Sequence, residues 1–213
     1  MKDTLLIFDL DGTLWDSAKP VAESWNEVFQ REDASLPLLT VDDIHVVMGM
    51  TMKEICDALF PGRFIRNREE VFSECSIHEV EYLYTHCGTL YPELRATLET
   101  LRAEGYELAV VSNCQLGYVD AFLSSSGTGD LFLDYEEWER TGLVKGENIR
   151  LVMQRNGYTK GVYIGDTKKD MEAALLAGIP FIHAAYGFGK VSSPDGVISK
   201  LSDLPAAIAG LLG

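Results

Sequence analysis

The chain has 213 residues, 46% hydrophobic and 24% charged, which fits one large globular domain or a core with a smaller insert. Its 33 acidic and 18 basic residues give a formal net charge of −15. So acidic a surface repels nucleic acid and anionic lipid, and we expect neither as a partner.

The chain begins with a pattern typical of a strand buried on both faces. Residues 4–8 form a continuous apolar run that ends at Asp9. Comparable runs follow at residues 107–111, 161–164 and 179–183. Stretches of helical character precede them, at residues 92–104, 148–156 and 170–177. This alternation predicts an α/β fold with a Rossmann-like, doubly wound parallel sheet.

The segment between the first and second strands has a different pattern. It contains helix starts at Asp16-Ser17 and Asp42-Asp43, with apolar residues at helical spacing and no convincing buried strand. We therefore predict a discontinuous α/β core formed by residues 1–15 and 88–213. Residues 16–87 are predicted to form an inserted, all-helical cap domain.

Polar clusters lie at or near the ends of the predicted strands. They are Asp9-Leu10-Asp11-Gly12-Thr13, Ser112-Asn113, Lys145, and Gly165-Asp166 with Asp170 beyond. Ligands of open parallel sheets bind outside the carboxyl ends of the strands, so we expect these clusters to converge. Carboxylates packed together need a cation, and an all-oxygen ligand set favours Mg²⁺. The ion would also supply the positive charge that a phosphate site needs in so acidic a protein.

The first cluster has the residue types needed for phosphoryl transfer. Asp9 can attack phosphorus and form an aspartyl phosphate. Asp11, two residues later, projects to the same side of an extended chain and can act as acid and then as base. Gly12 allows a sharp turn, and we expect it to contact the substrate.

The later clusters supply groups suited to phosphoryl oxygens. Ser112 offers a hydroxyl and Asn113 an amide, and Lys145 offers a charge that stabilises the transition state. Asp166 and Asp170 are four residues apart, which places them on one face of a helix. Our hypothesis is that Asp166 touches the metal while Asp170 orients Lys145 or a metal-bound water.

The order and spacing of these clusters resemble the four motifs of the haloacid dehalogenase superfamily over nearly the whole chain. The corresponding segments are Asp9-Leu10-Asp11-Gly12-Thr13-Leu14, Val110-Val111-Ser112-Asn113, Lys145, and Gly165-Asp166-Thr167-Lys168-Lys169-Asp170. A helical insert after the first motif resembles the cap of phosphoglycolate phosphatases and β-phosphoglucomutases.

The resemblance implies a role for each matching residue. Asp9 is then the nucleophile, Asp11 the acid/base, and Lys145 the group that neutralises charge. Mg²⁺ is bound by Asp9, the Asp11 carbonyl and Asp166, and phosphate by Ser112 with Asn113. In relatives proline usually follows the third-motif lysine, whereas Gly146 does so here, and Lys168 or Lys169 are alternatives for that lysine.

These features predict a Mg²⁺-dependent phosphohydrolase that acts on a small phosphorylated metabolite. The motifs equally allow a β-phosphoglucomutase-like phosphomutase, and a phospho-acceptor signalling domain is the alternative that is not an enzyme. We expect a cytoplasmic monomer or weak homodimer, since the first residues form no signal-peptide pattern and the four cysteines form no CxxC pair.

Basic residues of the predicted cap are less informative. Arg63, Arg66 and Arg68 could contact a substrate anion. Such a group more commonly pairs with neighbouring acids, here Glu69 and Glu70, on a solvated helix, and we favour that interpretation.

Overall fold

The structure is a computed structural model that describes residues 2–59 and 67–213, apart from the side chain of Met52. Arg63 and Arg66 therefore lie outside the described residues. The strands are β1 Thr4–Phe8, β2 Trp15–Asp16, β3 Thr89–Leu90, β4 Glu107–Ser112, β5 Asp134–Glu137, β6 Lys160–Gly165, β7 Phe181–Ala184 and β8 Gly196–Ile198. The helices are α1 Ala18–Glu32, α2 Val41–Val47, α3 Met52–Leu59, α4 Arg68–Leu83, α5 Leu94–Ala103, α6 Tyr118–Ser126, α7 Trp138–Thr141, α8 Lys145–Arg155, α9 Lys168–Ala177 and α10 Leu204–Leu212.

Six strands form a parallel sheet in the order β5-β4-β1-β6-β7-β8. Strand β1 pairs with β4 on one side and β6 on the other, so the chain reverses its winding direction at β1. A ligand site is expected at such a point, outside the carboxyl ends of the strands. The predicted fold class is confirmed.

Both faces of the sheet are covered, which explains the apolar runs. Leu6 and Phe8 of β1 face one hydrophobic cluster, whereas Leu5 and Ile7 face the other, and all four are fully buried. Successive strand residues point to opposite faces, so an uninterrupted apolar run is what a central strand requires.

Helices α1–α4, here called the helical insert, lie between the two short strands β2 and β3, which pair antiparallel. The insert has a hydrophobic cluster of its own, which includes Trp25 of α1, Ile44 of α2, Cys56 of α3 and Val71 of α4. Arg68 forms its ion pair with Asp57 at 3.0 Å, and not with the neighbouring acids that the sequence suggested.

All four cysteines are free thiols. Throughout the described ranges, the helices are too short or too polar to cross a lipid bilayer.

Candidate active site

The carboxyl edge of the sheet brings the predicted site residues together. Asp9 directly follows β1, Ser112 ends β4 and Asp166 directly follows β6. Lys145 is the first residue of α8, and Asp170 lies in the first turn of α9. All five residues are buried. Three adjacent strands and two helix starts thus point one lysine, one hydroxyl and three carboxylates at a single region.

Lys145 links two of these carboxylates. Its Nζ donates to Asp9 Oδ1 at 2.9 Å and to Asp170 Oδ1 at 2.7 Å. Although burial lowers the pKa of Lys145, attraction to Asp170 and Asp9 raises it well above its usual value, so the side chain is charged. The alternative lysines lie outside the site, where Lys168 pairs with Glu172 and Lys169 pairs with Glu54.

The glycine after Lys145 has a packing explanation. A Cβ atom on Gly146 would lie 2.8 Å from the Ala173 carbonyl oxygen and 2.8 Å from Leu176 Cβ. Helix α8 therefore begins in close contact with α9, and this contact brings Lys145 next to Asp170. The presence of Gly146, where relatives usually have proline, is therefore compatible with Lys145 as the lysine of the site.

Three carboxylates form a group suited to a divalent cation. One oxygen from each of Asp9, Asp166 and Asp170 lies within 4.8 Å of the others. Asp166 Oδ1 is buried and accepts no hydrogen bond from any described residue. A buried carboxylate oxygen without a donor is costly unless a cation binds it, so these residues fit a hard ion such as Mg²⁺.

Asp166 is fixed by a loop that follows β7. Its Oδ2 accepts hydrogen bonds from the backbone N–H groups of Phe188 at 2.7 Å and Gly189 at 3.3 Å. A Cβ atom on Gly187 would lie 2.3 Å from the Gly12 carbonyl oxygen, and one on Gly12 would lie 2.3 Å from Asp166 Oδ2. Both glycines are therefore needed for the close approach of this loop to the carboxylate. The predicted substrate contact of Gly12 stays a prediction.

Asp11 is held apart from the acidic group. Its Oδ1 accepts hydrogen bonds from Ser17 Oγ at 2.5 Å and from the Tyr118 hydroxyl at 2.9 Å. Burial raises the pKa of Asp11 to about 6, although these two donors favour the ionised form. A carboxyl group with this pKa can exchange a proton near neutral pH, as an acid/base catalyst must. Metal binding by the Asp11 carbonyl stays a prediction.

Ser112 and Asn113 border a cavity of about 50 Å³ between the sheet and the helical insert, as do Asp9 and Asp11. The Asn113 side chain donates a hydrogen bond of 3.5 Å to the Gly49 carbonyl oxygen of the insert. The insert therefore covers the site, and the organic part of a substrate bound at Asp9 would lie between the sheet and the insert.

The burial of these acids predicts how stability depends on pH in the metal-free protein. Burial and neighbouring carboxylates raise the pKa of Asp9 to about 7 and that of Asp166 to about 8. The folded state then holds protons that the unfolded state has already lost, so the free energy of unfolding falls as pH rises from about 4 to about 8. Thermal unfolding in a chelator should show a Tm at least about 5 °C lower at pH 8 than at pH 5.

Added Mg²⁺ should oppose this decline, because it binds the ionised carboxylates. The Tm increase caused by Mg²⁺ should therefore be larger at pH 8 than at pH 5. A Tm that rises with pH in the chelator would contradict the account of the buried acids.

Comparison with known proteins identifies the family. Residues 6–184 match the model of the haloacid dehalogenase-like hydrolases. The chain belongs to this family. The predicted resemblance is confirmed, and the phospho-acceptor alternative is set aside, because the match runs through all four motifs of the hydrolase.

Relatives of this haloacid dehalogenase-like hydrolase have matching lengths. A phosphoglycolate phosphatase from Aquifex aeolicus is 29% identical over 94% of each chain. One from Pasteurella multocida is 28% identical over 94% of this chain and 96% of the relative. Among solved structures, a predicted phosphoglycolate phosphatase from Haemophilus somnus superposes with a TM-score of 0.81 at 25% identity, covering 97% of this chain and 98% of the other.

Several residues around the site had no usable signal in the sequence. Ser17 and Tyr118, which bind Asp11, lie 101 positions apart from one another in the chain. The pair Gly187 and Gly189 forms only a GxG pattern, which is too common to indicate a site. Glu79 of the insert also borders the cavity and resembles any other acid of an amphipathic helix.

Proposed function

We propose that this protein is a Mg²⁺-dependent phosphatase that hydrolyses a small organic phosphate monoester through an aspartyl phosphate on Asp9. The proposal rests on the arrangement of the charged side chains at the edge of the sheet. The buried Lys145 pairs with both Asp9 and Asp170. Asp166, in the same group of carboxylates, has a buried oxygen without a hydrogen-bond donor among the described residues, and Asp11 borders the same cavity as Asp9. The phosphoglycolate phosphatases among its relatives support the same reaction class.

In the first step, an Asp9 carboxylate oxygen attacks phosphorus while the bond from phosphorus to the alcohol oxygen breaks. Asp11, protonated, gives its proton to the departing alcohol. Lys145, with Ser112 and Asn113, stabilises charge on the phosphoryl oxygens. Bound Mg²⁺, held by Asp9 and Asp166, would supply further positive charge at the phosphoryl group.

In the second step, Asp11 removes a proton from water, and the water oxygen attacks the phosphorus of the aspartyl phosphate. The bond to Asp9 breaks, inorganic phosphate leaves, and both carboxyl groups return to their starting states. The mutase alternative differs only in the acceptor, which would be a second hydroxyl of the substrate. Supplying β-glucose 1-phosphate and looking for an isomer without net phosphate release distinguishes the two.

The proposal is tested by phosphate release from a panel of monoesters with Mg²⁺ and with a chelator. Asp11→Asn should lower kcat for alkyl phosphates by about 10²- to 10⁴-fold, because their alcohols need a proton to leave. The same variant should still release a burst of p-nitrophenol from p-nitrophenyl phosphate, whose leaving group needs no proton, and then turn over slowly.

Two results would overturn the proposal. One is the absence of Mg²⁺-dependent phosphate release from every ester of the panel. The other is an equal loss of the p-nitrophenol burst and of alkyl ester turnover in Asp11→Asn, because that result would show that Asp11 does not donate a proton to the leaving group. For the cellular setting we propose a cytoplasmic enzyme, monomeric or weakly dimeric, whose partner is its phosphorylated substrate.

A further inference from the structure

The wall of the cavity opposite the sheet is mainly apolar. Side chains from α1, α2 and α3 of the helical insert contribute Val21, Trp25, Ile44, Val47 and Ile55. This wall faces Asp9 and Asp11 across a small space, so it would contact the organic part of any ester whose phosphoryl group lies at Asp9. The chemistry of that wall therefore selects the substrate.

Two further polar side chains border the cavity, one from the insert and one from the core. Glu79 of α4 and Gln115, which follows β4, both border the cavity and are each only 3% exposed. The Trp25 indole N–H donates to Glu79 Oε2 at 2.6 Å, which fixes the orientation of the carboxyl group. Gln115 Nε2 is buried and interacts with the Glu79 carboxyl group, but it forms no hydrogen bond of good geometry within the described part of the chain. A buried donor that is only partly satisfied is costly, so a ligand hydroxyl between Gln115 and Glu79 would improve the hydrogen bonding of both side chains.

The described residues that border the cavity include no cation that could receive a second anionic group. Within residues 2–59 and 67–213, no lysine, arginine or histidine borders it. Lys145 lies nearby, but its ammonium group already binds Asp9 and Asp170. A carboxylate on the organic part of the substrate would instead meet Glu79, whose pKa burial raises to about 8. Burying an unpaired carboxylate there is unfavourable.

We propose that Glu79 and Gln115 select phosphate esters whose organic part is small, uncharged and hydroxylated, rather than one that carries a carboxylate such as phosphoglycolate. The substrate hydroxyl would accept a hydrogen bond from Gln115 Nε2 and donate one to the Glu79 carboxyl group. This inference rests on the proposed phosphatase function and adds the substrate class. Glu79 and Gln115 determine specificity and take no part in breaking the phosphate ester bond.

The test uses three esters of nearly equal size on the full chain with Mg²⁺. They are 2-hydroxyethyl phosphate, n-propyl phosphate and phosphoglycolate, which present a hydroxyl, a methyl and a carboxylate at the same position. We expect kcat/KM for the hydroxyethyl ester to exceed that of each of the others by about tenfold or more.

Three variants then test whether Glu79 and Gln115 determine this selectivity. Gln115→Leu and Glu79→Leu should each reduce the ratio of hydroxyethyl to propyl kcat/KM by about tenfold, whereas Glu79→Gln, which keeps a hydrogen-bonding group, should retain most of it. The matched control is Glu81→Leu, because Glu81 lies on the same helix but is exposed. The ratio of kcat/KM for two esters is unaffected by a general loss of active enzyme. Gln115→Leu provides the test if Glu79→Leu does not fold.

A preference for phosphoglycolate over the hydroxyethyl ester would overturn the inference. An unchanged substrate ratio in both leucine variants would also overturn it. These outcomes differ from failure of the proposed function, in which none of the three esters, nor p-nitrophenyl phosphate, would release phosphate.

Discussion

Replacing Asp9 with asparagine should lower kcat by about 10⁴-fold or more, because the amide has no carboxylate oxygen with which to attack phosphorus. The fold should survive. Lys145 keeps its hydrogen bond to Asp170, and an amide of similar size takes the place of the Asp9 carboxylate. Steady-state phosphate release and thermal unfolding, measured on the same preparation, check both expectations.

The control for this variant is Asp3→Asn. Asp3 directly precedes Thr4 of the same strand but is exposed, and its carboxylate pairs with the exposed Lys160 at 2.6 Å. Its kcat should stay within about twofold of the unmodified protein. Turnover by Asp9→Asn at the rate of the unmodified protein would exclude Asp9 as the nucleophile.

Replacing Lys145 with methionine should affect both activity and stability. The change leaves Asp9 and Asp170 without their shared cation, and loss of one partner of a buried ion pair costs about 3–5 kcal/mol. The reduction in the free energy of unfolding, measured in a chelator, should be larger at pH 8 than at pH 5. At the lower pH the neighbouring carboxyl groups are protonated, since burial raises the pKa of Asp9 to about 7 and that of Asp166 to about 8. With Mg²⁺ present, kcat should fall by about 10²- to 10³-fold.

Lys168→Met is the matched control, because Lys168 is exposed and pairs with Glu172 one helical turn away. Such a surface pair contributes at most about 0.5 kcal/mol, so stability and kcat should change little. Equal effects of the two substitutions would show that Lys145 is not the lysine of the site.

The central sheet was predictable because its inner strands are buried on both faces. Residues 4–8, 107–111 and 161–164 form apolar runs that correspond closely to β1, β4 and β6. Strand β5 has the sequence Asp-Tyr-Glu-Glu and gave no such signal. Its charges are compensated by Arg155, which pairs with Asp134 and Glu136 at 2.6 Å, a contact that only the folded chain reveals.

The convergence of the candidate site residues was predictable for a different reason. Asp9 and Asp166 stand directly after apolar strands, Asp11 follows two residues after Asp9, and parallel strands end at one edge of the sheet. The side chains that surround these carboxyl groups come from distant parts of the chain. Tyr118 lies 107 positions from Asp11, and Glu79 belongs to the insert. Local patterns therefore indicate which residues meet at the candidate site, whereas the packing of distant elements determines their pKa values and the shape of the cavity beside them.

The most direct test of the phosphoryl transfer is to find the phosphoryl group on the protein. The Mg²⁺-loaded protein would be mixed with an ester, quenched in acid within one turnover, and digested for mass spectrometry. We predict one added phosphoryl group on the peptide that contains Asp9, sensitive to hydroxylamine and more abundant in Asp11→Asn, where hydrolysis is slow. Steady turnover with an unmodified Asp9, or with the phosphoryl group on another residue, would contradict the mechanism.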